Sequence, residues 1–241
     1  MNWLRRVNVI PLLILVSVGG LAVIIYLHFA QYPTRREHSH TFITFFLLFA
    51  GSERLWENFF TTDERDPRTF AGDWSLAAVS FAYIVMMYGT VFEFFFMNRE
   101  ILWPFTVVGV FLYSLAFVLR WWGMITLGPQ WGIHILGENK LPHVQRSLIR
   151  TGPYRLMRHP IYCGVFLELV GIPLATHSWF TLSFAVTVNV ALQVLRTYLE
   201  ERRLLEMFGE EYRRFQRENW AYWPLPKRTR GVGRERAEGL A

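Results

Sequence analysis

Residues 160–199 read PIYCGVFLELVGIPLATHSWFTLSFAVTVNVALQVLRTYL, an apolar stretch carrying only Glu168 and Arg196 as charged residues. It divides into two runs, Pro160 to Phe180 and Thr181 to Leu199, which meet near Thr176-His177-Ser178-Trp179. Each run is about 20 residues long, the length that crosses a hydrocarbon core. The spacing predicts two antiparallel membrane helices joined by a tight turn.

Working outward, the same signal recurs upstream. Val9 to Ala30 is a long apolar run behind Arg5 and Arg6. It is too long for a signal-peptide core and no small-residue cleavage site follows it, so a retained helix is expected. In 41–60 the apolar Thr41 to Gly51 precedes Glu53, Arg54 and Glu57. A spanning helix with its charged turn emerging at the membrane surface is expected there, with an interfacial helix as the alternative. The polar segment 61–73, with Pro67 and Gly72, reads as a loop. Residues 74–97 form a span interrupted only by Glu93, and 101–127 another, with Pro104 near its start and Arg120 towards its end. The fold class expected is therefore an all-α integral membrane protein with five to six transmembrane helices, ending in a helical hairpin.

Composition agrees. The chain is 52% hydrophobic and only 18% charged, below the roughly 25% of soluble domains. The net charge is +6, and 16 of the 25 basic residues fall within 128–159 and 196–236. Because these charges flank apolar spans, they report topology rather than nucleic-acid binding, and they place the late loops in the cytoplasm. The basic residues are overwhelmingly Arg, which hints at a prokaryotic inner membrane. A single cysteine, Cys163, excludes an intrachain disulfide and any multi-cysteine metal site, and no metal is expected. No glycine-rich phosphate loop is present, and the chain leaves no room for alternating strands and helices.

Between Gly128 and Arg158 the hydrophobicity drops, which predicts a structured segment outside the membrane. Beyond Glu200, Leu204, Leu205, Phe208, Tyr212 and Phe215 recur at helical spacing among charges, the pattern of an amphipathic helix lying along a surface. The tail 227–241 is basic and reads as disordered.

Two clusters stand out chemically. In TGPYRLMRHPIYCG (151–164), a Gly-Pro turn and a first-turn proline set Arg155, Arg158 and His159 before a membrane helix. Cations and free helix amides together suit an anionic group such as a carboxylate. The plainer alternative is a basic interfacial anchor with Tyr154 and Tyr162 in the aromatic belt. In the second cluster, Arg196 and Glu200 share a helix face, with Glu201 beside them. The plainer alternative there is a helix ion pair at the membrane surface. An antiparallel hairpin brings both clusters to one membrane face. Such a mixed site suits S-adenosylmethionine, which carries a carboxylate, an ammonium, a ribose, an adenine and a sulfonium.

The combined pattern LGPQW (127–131), LIRTGPYRLMRHPIYCG (148–164), RTYLEERRLLEMFGEEY (196–212) and WPLP (223–226) resembles the isoprenylcysteine carboxyl methyltransferase family. Phospholipid N-methyltransferases share its membrane fold more loosely. The resemblance covers about 115–226 and implies a methyltransferase core there; residues 1–114 carry no recognisable motif and are expected to be the substrate-related helices. It implies a cofactor site at Leu148, Ile149, Tyr154, His159, Pro160, Tyr162, Gly164, Glu200 and Glu201, with Leu148 and Ile149 against the adenine. It places Arg158 and Arg196 near the reacting group. Arg146 departs from the pattern, since relatives often carry His there. The implied reaction is methyl transfer from S-adenosylmethionine to a lipidic acceptor arriving from the bilayer, leaving S-adenosylhomocysteine. A carboxylate of an isoprenoid-linked or other lipophilic substrate is the leading acceptor. The alternatives are phospholipid (ethanolamine) N-methylation, a membrane reductase, and a non-enzymatic scaffold or transporter. Glu93 and Glu168 read as structural groups within the membrane, paired with Arg120 or Arg196.

Overall fold

The computed structural model describes residues 38–59, 74–131 and 147–224, together with Gly19, Gly20, Val23, Tyr26, Leu27, Ala30 and Gln31, which are helical. Most of the expected first span, the 61–73 loop, residues 132–146 and the 227–241 tail lie outside the described residues. The described chain is helix and turn throughout, with one bridge residue at Asn219. Helix α1 is His38–Phe59. Helix α2 runs Trp74–Phe96 and closes in a π-helical turn at Phe92–Phe96. Helix α3 is Trp103–Leu127, α4 is Pro160–Ala175, and α5 is Trp179–Phe208 with a π-helical turn at Ala185–Asn189. A short α6, Glu210–Glu218, follows.

Helices α2, α3 and α5 are long and apolar enough to cross a membrane. Their outward faces carry exposed Phe81, Phe111, Val118, Ile125 and Phe180, side chains that suit lipid rather than water. The expected hairpin is present, but its arms are unequal. Helix α4 has only 16 residues, because Pro173 and the Thr176–Ser178 turn end it early. Helix α5 continues to Phe208 instead of stopping at Leu199. The expected single surface helix beyond Glu200 is thus two pieces: the last turns of α5, and α6. The break is Gly209, whose φ of +53° favours glycine and whose N–H bonds the Leu205 carbonyl at 2.9 Å.

Helices α3 and α4 lie in close backbone contact. Gly109, Ala116 and Gly123 recur every seven residues on α3 and face Gly171, Gly164 and Ile161 of α4. A Cβ built on Gly109 would sit 2.4 Å from the Ala175 nitrogen and 2.6 Å from the Gly171 oxygen. Small residues at such crossings replace the hydrophobic drive that lipid cannot supply.

Through this crossing runs a buried ionic network. Arg120 on α3, wholly buried, pairs with Glu53 and Glu57 of α1 and with Glu168 of α4. Arg54 pairs with Glu57 at 2.6 Å and with Glu168. The Tyr83 hydroxyl donates to Glu168 at 2.7 Å and the Trp121 indole N–H to Glu53 at 2.8 Å. The charged turn of α1 therefore does not emerge at the surface. It folds inward, because charge at this depth is tolerable only when paired. The expected pairing of Glu168 with Arg120 is present.

Glu93 has a different task at the opposite end of the bundle. Its carboxylate accepts the N–H groups of Phe180 and Thr181 at 3.2 and 2.9 Å and the Thr181 hydroxyl at 3.0 Å, while Arg99 lies 2.7 Å away. It caps α5 from across the fold, at helix amides that lack intrahelical partners. Beside it His177, at φ +55°, accepts the Leu102 N–H at 3.3 Å. Burial lowers the pKa of His177 below its ordinary value, so the fold favours the neutral ring. A depressed histidine stabilises above its unfolded value, and that contribution is lost as pH falls through the folded value. We therefore expect the thermal midpoint to drop as pH falls below about 6.5, and His177→Gln to flatten that dependence; scans across pH of both proteins check it.

Candidate functional site

The segment before α4 is built to hold its turn. Gly152 adopts φ +55°, and a Cβ there would meet the Thr126 hydroxyl at 2.6 Å, so only glycine passes. Pro153 and Tyr154 follow in a single 3-10 turn, Gly152–Arg155, and both are buried. Upstream, Gln130 just past α3 accepts the Ser147 N–H at 2.9 Å, which anchors the segment bearing Leu148 and Ile149. Both of those residues are half-buried. Pro160 opens α4 at its first turn, where a missing N–H is harmless.

The two clusters meet as expected. Glu201 of α5 receives the His159 ring nitrogen at 3.0 Å and the Arg158 guanidinium at 2.6 Å. Gln216 of α6 donates to its other oxygen at 3.1 Å, and the Tyr212 hydroxyl lies 3.4 Å away. The Tyr162 hydroxyl is hydrogen-bonded to both Glu200 and Arg196. Arg196, almost fully buried, also donates to Ser75 at the start of α2, 3.0 Å away. Burial and the adjoining Glu200 charge raise the pKa of Tyr154 well above the usual phenol value, and burial with Glu201 does the same for Tyr212. Both phenols stay protonated at neutral pH, and that of Tyr212 donates to Glu201.

The structure separates residues that the sequence grouped together. Arg158 is turned back on the protein: besides Glu201 it donates to the Asn219 carbonyl at 2.6 Å and the Gln216 carbonyl at 3.3 Å. Its backbone N–H bonds the Trp220 carbonyl, and that of His159 bonds Ala221. Arg158 and Glu201 thus fasten residues 216–221 over the site, whereas Arg196 points to the α2–α4 interior through Ser75 and Tyr162. Gly164 faces α3: a Cβ there would meet Arg120 Cγ at 2.5 Å and the Ala116 carbonyl at 2.9 Å. Its smallness serves the helix crossing. No described contact links Leu148 or Ile149 to the glutamates.

Sequence reasoning missed Ser75, Gln216 and Tyr222. Tyr222 stacks edge-on against Phe166 with ring centroids 4.9 Å apart and lies 6.2 Å from the His159 ring, closing the site from the C-terminal side. Its position next to WPLP was the available signal. Ser75 carried none, since a lone serine in an apolar helix is unremarkable. Among the described residues, no group of three His, Cys, Asp or Glu side chains is placed to hold a metal. We expect Arg158→Ala to free the 216–221 segment; limited proteolysis should then cut near Trp220 at least tenfold faster than in the parent, with α3–α4 packing intact.

Comparison with known proteins gives this geometry a context. Residues 107–206 match the model of the isoprenylcysteine carboxyl methyltransferase family. An uncharacterized Bacillus subtilis protein, YpbQ, is 30% identical over 125 residues, which cover 52% of this chain and 70% of that protein. The human protein-S-isoprenylcysteine O-methyltransferase is 28% identical over 165 residues, covering 65% of this chain but only 56% of the human enzyme. The structure of a eukaryotic intramembrane Ras methyltransferase superposes with a TM-score of 0.55 at 19% identity, over 86% of this chain and 75% of that one, a likeness of fold.

Proposed function

We propose a cofactor and an acceptor for a chain that belongs to the isoprenylcysteine carboxyl methyltransferase family and is, with it, a membrane methyltransferase. The donor is S-adenosylmethionine and the acceptor is the carboxylate of a lipophilic molecule that enters from the bilayer. The observation that carries this reading is the Tyr162 hydroxyl set between Glu200 and Arg196. A guanidinium and a carboxylate then flank one phenol, which supports a ligand that carries both charges.

The donor set fits the cofactor's chemistry. Glu200 suits an ammonium or a ribose hydroxyl, and the protonated phenol of Tyr154 suits an anionic or carbonyl oxygen. Leu148 and Ile149 offer apolar surface for the adenine. When bound, S-adenosylmethionine supplies a methyl group made electrophilic by the sulfonium. The remaining task belongs to the protein. Arg196 orients the acceptor carboxylate, and Ser75 and Tyr162 fix the guanidinium in turn. A carboxylate is ionised at neutral pH, so no general base is required. Positioning is then the main contribution. Glu201, already engaged by Arg158, His159, Gln216 and Tyr212, holds the closing segment 216–221 in place. We assign residues 115–226 to the methyltransferase core, place 1–114 on the acceptor side, and set the site at the cytoplasmic face of a prokaryotic inner membrane.

Calorimetric titration of the detergent-solubilised chain with S-adenosylmethionine and S-adenosylhomocysteine tests the cofactor; no binding of either would sink the reading. Labelled methyl transfer to lipid carboxylates tests the acceptor. We expect Arg196→Gln to lower turnover by roughly 10- to 100-fold, the worth of one charge-assisted hydrogen bond, while S-adenosylhomocysteine binding stays unchanged.

A further inference from the structure

The buried face of α5 is polar well below the site. Arg196, Gln193 and Asn189 stand three and four residues apart, so they line one side of the helix, and they are 3%, 5% and 4% exposed. Asn189 ends the π-helical turn Ala185–Asn189, which packs against α2 and α4. Its side-chain nitrogen is buried and has no hydrogen-bond partner among the described residues. A buried donor left unpaired is unfavourable, and π-helical turns recur where a helix serves a ligand. Seven residues of helix put Asn189 about 10 Å deeper in the membrane than Arg196. Ala185, one turn further, belongs to the apolar core with Met86, Leu169 and Ile172, so the polar stripe ends there.

We propose that Asn189, with Gln193, forms a polar subsite along the acceptor's chain, accepting a carbonyl or ether oxygen about 10 Å from the carboxylate held at Arg196. The amide nitrogen only donates, so the group it takes must carry an acceptor oxygen. A plain hydrocarbon chain leaves this donor unpaired, and the subsite therefore selects oxygenated chains over purely hydrocarbon ones. This rests on the reading of Arg196 as the acceptor-facing cation.

The test uses the full chain in lipid nanodiscs with two probes: stearate, and a ketostearate whose isotope-labelled carbonyl lies midway along the chain. The expected result is that the labelled carbonyl stretch moves to lower wavenumber on binding to the parent protein but not to Asn189→Leu. In parallel, kcat/KM for the ketostearate should fall roughly tenfold in Asn189→Leu, with stearate turnover unchanged, and Asn189→Gln should restore part of the preference. S-adenosylhomocysteine affinity, measured on the same samples, should match the parent and shows that the variants fold. A carbonyl band that does not shift in the parent, or a variant that changes both probes equally, overturns the subsite, the latter pointing to a resident water on Asn189. Failure of the methylation reading shows separately, as absent S-adenosylhomocysteine binding or no turnover of either probe, and leaves the infrared result to decide the subsite.

Discussion

Replacing Arg120 with leucine should abolish recovery of folded protein, or lower its stability by about 3–5 kcal/mol, because three carboxylates would lose their common cation inside the membrane. Arg120 is wholly buried and touches Glu53, Glu57 and Glu168, which come from two different helices. Arg54, which already pairs with Glu57 and Glu168, would be left as a single cation against three carboxylates. The matched variant, Arg120→Leu with Glu53→Gln and Glu168→Gln, removes two of the stranded charges and should recover much of the loss. Size-exclusion profiles and thermal unfolding in detergent read both effects. If Arg120→Leu behaves like the parent, the network is not a fastening between α1 and the α3–α4 pair.

An effect of similar size is expected from Gly109→Val. The new Cβ would stand 2.4 Å from the Ala175 nitrogen and 2.7 Å from its Cα, and both are backbone atoms. No side chain can turn aside to make room, so α3 and α4 must separate along the crossing. Overpacking ordinarily costs about 1–3 kcal/mol, and more where backbone must move. Gly128→Ala is a useful contrast, since a Cβ there has open space and the expense is only that of φ +53°. Thermal midpoints should fall steeply in the first variant and by a small amount in the second. Because the α3–α4 pair carries Arg120 and the start of α4, S-adenosylhomocysteine binding should weaken with Gly109→Val as well.

Much of the fold was legible because span length, turn residues and charge placement are local signals. The hairpin turn at Thr176–Ser178 and the spans at 74–96 and 103–127 follow from runs of apolar residues and the polar breaks between them. What remained hidden was long-range. Glu53 and Glu57 look like a surface turn until Arg120 and Arg54 are placed beside them. Gly209 was visible in the sequence, but the apolar spacing across it suggested one helix rather than two. At the site, the motif located His159, Tyr162, Glu200 and Glu201 together, since each lies near an end of the hairpin. It could not separate the orientation of Arg158, which depends on carbonyls at 216 and 219, from that of Arg196. Ser75 was unreadable because nothing in its neighbourhood marks the helix it meets.

Helix α5 has a further consequence through its length. Thirty residues of continuous helix extend about 45 Å, against a hydrocarbon thickness of roughly 30 Å. Its far end is fixed by the Glu93 cap, so the excess emerges at the end bearing Glu200 and Glu201. The height of those glutamates above the acyl chains is therefore a property of the bilayer as much as of the protein. In a thicker membrane they sit closer to the headgroups, and in a thinner one they stand further into water unless the helix tilts. On the proposed reading, lipid thickness thereby becomes a physical variable that sets how far an acceptor must rise to be reached.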